Sequence, residues 1–172
     1  MAADEVHGEL VRLRPLRPDD REAIVAVLTA PENSEWWPGY DEERVCREYF
    51  DEPDGEADVY AVVRDGLVVG LIQSYEEADP DYRHAGIDIS LAPDATDRGL
   101  GTDAVRALAR HLFDVRGHHR LVIDPAAGNG RAIRCYEKVG FRPVGVMRQY
   151  ETDGRGGWRD GLLMDLLRSE LT

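Results

Sequence analysis

The sequence predicts a mixed α/β fold, with a central, mostly antiparallel sheet carrying helices on both faces and residues 1–172 forming a single domain. Three observations carry this expectation. Asp65-Gly66 separates two runs rich in β-branched residues and supplies the positive φ angles of a tight hairpin turn. The second half alternates strand-like and helix-like patterns, which brings helices onto both faces of a mixed sheet. No internal repeat, low-complexity tract or linker divides the 172 residues, a length sufficient to bury a core without staples.

The elements follow in chain order. Val11 and Leu13 alternate with Arg12 and Arg14, the pattern of a first strand ending at Pro15. Asp19 and Glu22 have the spacing of a capping box, so a helix is expected to follow through Leu28. A second helix is expected over 42–50, after the aromatic segment Glu35-Trp36-Trp37-Pro38-Gly39-Tyr40. The hairpin strands are 59–64 and 67–72, a polar loop covers 76–83, and a further strand covers 85–91. Beyond Arg98-Gly99-Leu100-Gly101 a helix carries Val105, Leu108, Ala109 and Leu112 on one face. A buried strand at 121–123, a helix at 131–139 and closing strands at 141–147 and 162–166 complete the series.

Composition narrows the function classes. No apolar run approaches the roughly 20 residues that span a bilayer, and the acidic start MAADEVHGEL has no signal-peptide pattern. Cys46 and Cys135 stand alone without metal-ligand spacing, so the sequence predicts a reduced cytoplasmic protein with no disulfide and no metal. The net charge of −13 is concentrated at one end: residues 1–58 hold 17 acidic against 6 basic side chains. Such a local field suits a cationic ligand as well as a solvated face, and the absence of a basic stripe excludes nucleic acid as a partner.

Two motifs carry chemistry. Arg98-Gly99-Leu100-Gly101-Thr102 opens a helix after a strand; glycines there let the backbone approach a ligand, and a helix start offers unpaired N–H groups to a pyrophosphate. The turn lacks the GK[ST] ending of a P-loop and the third glycine of a dinucleotide fingerprint, which points to another phosphate-containing ligand. About thirty residues downstream lies Asn129-Gly130-Arg131-Ala132-Ile133-Arg134-Cys135-Tyr136-Glu137-Lys138-Val139-Gly140-Phe141.

In order, spacing and context these two motifs closely resemble the GNAT superfamily of N-acetyltransferases, over about residues 10–167 and most strongly over 84–142. The resemblance implies the GNAT fold and acetyl-CoA as co-substrate, held by Ile89, Leu91, Arg98, Gly99, Leu100, Gly101, Thr102, Asn129, Ala132 and Tyr136. Thr96 departs from the pattern, which usually has Gln or Arg there. Glu35-Trp36-Trp37, Gln73-Ser74-Tyr75, Gly86-Ile87-Asp88 and Asp124-Pro125 extend the likeness to aminoglycoside 6′-N-acetyltransferases. That likeness implies a cationic amine, the 6′-amine of an aminoglycoside, as acceptor, with Asp88 and Tyr136 catalytic. Trp37, Tyr40, Tyr75, Asp88, Asp124 and Asp153 would shape the acceptor site, although residues 150–160 depart from the family in length and content. A phenol with pKa about 10 is a reasonable proton donor to a thiolate whose acid has pKa about 8.5, whereas a carboxylate near 4 needs desolvation or a relay to deprotonate an amine.

Aromatic faces and carboxylates suit the same hydroxyl-rich polycations, and residues 30–58 hold eleven acidic side chains expected to flank the acceptor. The alternatives are acetylation of a hydroxylysine-type siderophore precursor or of a protein N-terminus, or a silent CoA- or aminoglycoside-binding sensor. Either a monomer or a homodimer fits the sequence.

Overall fold

The computed structural model describes residues 4–172. Its strands are β1 (Val6–His7), β2 (Arg12–Pro15), β3 (Ala57–Arg64), β4 (Leu67–Glu77), β5 (His84–Leu91), β6 (Arg120–Ile123), β7 (Arg142–Thr152) and β8 (Trp158–Leu167). They form one sheet in the order β1-β2-β3-β4-β5-β6-β8-β7. Every neighbouring pair is antiparallel except β5 and β6. The helices are α1 (Arg21–Leu28), α2 (Glu42–Cys46), α3 (Leu100–Asp114) and α4 (Gly130–Val139).

The β3–β4 hairpin turns on Asp65 at φ 50° and Gly66 at φ 80°, the positive pair that the dipeptide predicts. Adjacent residues of β4 then face opposite ways. Ile72 joins Leu13, Tyr60, Ile87, Leu108, Leu112, Phe113 and Met164 in the main core, beneath α3 and α4. Leu71 joins Ile24, Leu28 and Val45 in a second core, beneath α1 and α2. This alternation is what puts helices on both faces.

Several elements differ from expectation. The two-residue β1, too short to carry a period, adds an outer strand through Val6↔Leu13. Strand β4 runs on to Glu77, because backbone pairing with His84 and Ala85 continues the ladder regardless of side-chain polarity. The expected helix over 42–50 is a short α2 followed by a π-helical turn, Arg47–Asp51. Asp19 and Glu22 form no capping box. Asp20 instead turns back to accept 2.6 and 2.7 Å bonds from the Arg14 guanidinium and 2.8 Å from the Arg17 N–H, since a buried guanidinium needs a partner more than the helix end does.

A second carboxylate anchors α3. Asp103 is buried and accepts from the backbone N–H groups of Glu9, Leu10 and Val11 at 3.0, 2.7 and 2.9 Å, fixing the first turn of α3 to the segment before β2. Asp103→Ala leaves those amides without an acceptor. The variant is expected to lose about 3 kcal/mol, which lowers the midpoint of thermal unfolding by roughly 6–12 °C in a chain of this size. A calorimetric midpoint within about 2 °C of wild type would mean that water serves these amides equally well.

Candidate active site

The parallel pairing of β5 and β6 covers only Ala85↔Leu121 and Gly86↔Val122. Beyond it the strands part, and β5 continues through 87–91 with no strand on that side among the described residues. Two residues past the last pair on each strand stand Asp88 and Asp124, level with each other across the opening. Two cavities meet at this parting. Ile89, Asn129, Tyr136, Trp36 and Trp37 line both.

The first cavity, about 300 Å³, lies between the end of β5 and the starts of α3 and α4. Gly99 caps α3 at φ +77°, a conformation that favours glycine, and the amides of the first turn have no intrahelical acceptor. Of the residues expected to hold the cofactor, Ile89, Leu91, Gly99, Gly101, Thr102, Asn129, Ala132 and Tyr136 line this cavity, and so does Thr96. Leu100 is in the core, which leaves only its backbone for a ligand, and Arg98 is exposed beside the cavity without lining it. Asn129 caps α4 by accepting from the Ala132 N–H at 3.2 Å, and Cys135 Sγ lies 3.3 Å from Thr102 Oγ1 where the two helices meet. Free amides at a helix start, a side-chain-free turn and an open strand edge fit a ligand that joins a pyrophosphate to an extended thioester arm.

The second cavity, about 610 Å³, is polar. Asp88, Asp124 and Glu151 give it three carboxylates, and Trp36, Trp37, Tyr75 and Tyr150 give it aromatic walls. Tyr75 reaches it because residue 86 is glycine: a Cβ there would fall 1.9 Å from the Tyr75 ring. Burial and then the Asp124 and Glu151 charges push Asp88 up to about 6, against a 3.2 Å bond from Gln73 Nε2 that favours the carboxylate. Burial also raises Asp124, opposed by a hydrogen bond from the Tyr150 hydroxyl. Tyr136 is raised chiefly by burial, and its hydroxyl makes no hydrogen bond among the described residues.

Two expected acceptor residues stand apart. Tyr40 lines a neighbouring cavity that also touches Tyr75, and its hydroxyl donates to Glu48 at 2.9 Å. Asp153 lines none of the three cavities, because its carboxylate accepts from the Arg155 and Gly157 N–H groups of its own turn at 2.8 and 2.9 Å. The acidic first third contributes no carboxylate to the second cavity. Glu48, Glu52, Asp54 and Glu56 line the neighbouring one, while Asp51 and Asp58 pair with Arg21 and Arg116.

Sequence reasoning missed Tyr150, Glu151 and Arg159. Arg159 clasps both flanks of the second cavity: Nε donates to Glu151 at 3.1 Å, and the terminal nitrogens donate to the Glu35 and Trp36 carbonyls. Its guanidinium also lies 5.5 Å from the Trp36 ring centroid. A short motif cannot signal this contact, which joins residues more than a hundred positions apart.

Known proteins share this architecture. Residues 11–142 match the family model described as an acetyltransferase (GNAT) domain. An aminoglycoside N(6')-acetyltransferase type 1 of Klebsiella pneumoniae is 35% identical over 159 residues, covering 81% of this chain and 78% of the relative. An N-alpha-acetyltransferase of Sulfurisphaera tokodaii is 28% identical over 167 residues, covering 91% and 95%. The solved structure of AAC(6')-Ib in complex with paromomycin and acetyl-CoA superposes with a TM-score of 0.78 at 28% identity, covering 94% of this chain and 96% of that one. The chain belongs to the GNAT acetyltransferase family. It is an acetyl-CoA-dependent N-acetyltransferase homologous to the aminoglycoside 6'-N-acetyltransferases.

The first cavity generates a test. A Cβ on Gly101 would meet Leu91 Cδ1 at 3.4 Å and Cys135 Sγ at 3.6 Å, which alanine tolerates. Valine adds two branches on the first turn of α3, beside the amides expected to meet a pyrophosphate. Calorimetry is expected to show CoA binding weakened at least about tenfold by Gly101→Val and little changed by Gly101→Ala. Equal affinity in both variants would move the ligand away from this turn.

Proposed function

We propose that the protein transfers the acetyl group of acetyl-CoA to the 6′-amine of an aminoglycoside. The observation that carries the reading is the second cavity, where three carboxylates and five aromatic residues meet beside the helix-start cavity. Carboxylates give charge-assisted hydrogen bonds to ammonium groups, and aromatic faces suit the rings of an amino sugar. The relationship to aminoglycoside N(6')-acetyltransferase type 1 supports the same acceptor.

The proposed roles follow from position and charge. Acetyl-CoA supplies an activated acetyl thioester, with its pyrophosphate on the first-turn amides of α3 and its arm along the open edge of β5. Asp88 holds the acceptor ammonium and takes its proton, directly or through water, so that a neutral nitrogen faces the thioester carbon. A carboxyl raised to about 6 is a better base for this than an ordinary aspartate, and it is still mostly ionised at pH 7. As the C–N bond forms and the C–S bond breaks, the Tyr136 hydroxyl protonates the departing sulfur. The acylated nitrogen gives its second proton to solvent, and Tyr136 is reprotonated from solvent. Tyr136 lines both cavities and spends its proton on no other partner among the described residues.

Asp88 sets a pH dependence. Its carboxyl must be ionised, and its surroundings raise it to about 6, so kcat/KM should be sustained above that value and fall as pH drops through it. Asp88→Asn is expected to lower kcat and remove this acid limb while CoA affinity persists. An unchanged acid limb in the variant would assign it to another group.

The acceptor is tested by regiochemistry. A 6′-hydroxyl analogue loses the ionic hydrogen bond and presents a weaker nucleophile. Its kcat/KM should therefore fall at least about 10²-fold below that of the 6′-amine. NMR of the product is expected to place the acetyl group on the 6′ nitrogen. Turnover of peptides or hydroxylysine without turnover of any aminoglycoside would transfer the assignment to those acceptors.

A further inference from the structure

On the rim of the second cavity, β7 departs from its partner. Met147 pairs with Gly161 and Glu151 with Arg159, so β7 spends four steps where β8 spends two. The surplus is a bulge in which Gln149, not a glycine, takes φ +49°, a left-handed conformation that side chains other than glycine rarely adopt. Asp160 fastens it, accepting from the Gln149 N–H at 2.8 Å. Gly161 leaves space beneath the next ring, where a Cβ would come within 2.7 Å of Tyr150 Cδ1. The outcome of all three features is that the Tyr150 hydroxyl crosses to the end of β6 and donates to Asp124 Oδ2. Tyr150 is 46% exposed, so its ring does little core packing that could account for the bulge.

We propose that Tyr150 is a positioning residue for the acceptor: its hydroxyl holds the Asp124 carboxylate ready for a second ammonium of the polycation while Asp88 engages the reacting one. This rests on the acceptor reading above. The groups facing Asp124 are Tyr75 from β4, Asp88 from β5, Tyr136 from α4 and Glu151 beside Tyr150 on β7, with Arg159 of β8 already paired to Glu151. Among these, Asp88 and Glu151 repel its charge. Tyr150 is the group whose side chain donates a hydrogen bond to it, which stabilises the charged form against burial. A cation arriving at the cavity then meets an oriented anion and need not first ionise and turn a neutral carboxyl.

The test uses Tyr150→Phe in the full-length enzyme, with kanamycin as the polyamine and methyl 6-amino-6-deoxyglucoside as the monoamine. The KM for kanamycin is expected to rise about fivefold or more, with kcat within about twofold and the KM for acetyl-CoA unchanged. The defect should grow as pH is lowered and be absent for the monoamine. In an Asp124→Asn background, Tyr150→Phe should add no further loss. Independently of any acceptor, carbon NMR of the Asp124 carboxyl is expected to titrate at higher pH in Tyr150→Phe than in wild type. An unmoved carboxyl titration overturns the proposal. So does an equal rise in KM for both amines, which marks a merely structural role. A wild-type enzyme that ignores kanamycin, combined with a shifted titration, overturns the acceptor reading and leaves Tyr150 as the residue that positions Asp124.

Discussion

The functional architecture depends on where the pairing of β5 with β6 stops. Two residue pairs hold the parallel strands together, and beyond Gly86 and Val122 the sheet opens. Had the ladder continued, the edge of β5 would be satisfied by β6, and Asp88 and Asp124 would lie within a closed sheet. Because it ends there, one side of β5 is free, two carboxylates face across the gap, and the starts of α3 and α4 border the opening. The break survives because other contacts hold its sides. Strand β4 pairs with β5 from Gly70↔Leu91 to Glu77↔His84, and β6 pairs with β8 along its whole length. The Asp103 clasp fixes the first turn of α3 from behind.

The same opening concentrates like charges. Asp88, Asp124 and Glu151 line one cavity; the charges of Asp124 and Glu151 raise the proton affinity of Asp88, and that of Glu151 raises Asp124, on top of the burial that does so first. Gln73, Tyr150 and Arg159 each offset part of this by donating to one carboxylate. The result is a site whose like charges are held close at a cost in stability, a common arrangement at functional sites.

What was legible in the sequence was whatever a local signal encodes. Asp65-Gly66 encodes its own turn, Gly99 and Gly140 take the left-handed conformations that bound their helices, and Asn129 caps α4. Asp88 and Tyr136 were legible because the motifs around them are contiguous. Asp124 and Tyr75 were found through short matching segments, and both line the cavity with them. Tyr150 and Glu151 were not, because a bulge has no period and its position shows only once β8 is laid beside β7. Charge density in the first third was also a poor guide, since a count of carboxylates does not say which are already paired. Asp153 shows the same limit at a single residue, an acid whose acceptors are used by its own turn.

Trp36 and Trp37 stand in the wall common to both cavities, whereas Trp158 lies 66% exposed on the surface. The intrinsic emission of the protein is thereby divided into a pair of indoles that a ligand in either cavity would desolvate and a third that stays in water. The chain carries its own optical reporter of occupancy, in which a blue-shifting component registers filling of the shared wall above a constant long-wavelength background. Because the two indoles touch both cavities, the spectral change from one ligand should depend on whether the other is already seated. Titrations in both orders, with CoA in place of acetyl-CoA, would therefore read the coupling between the two cavities without turnover.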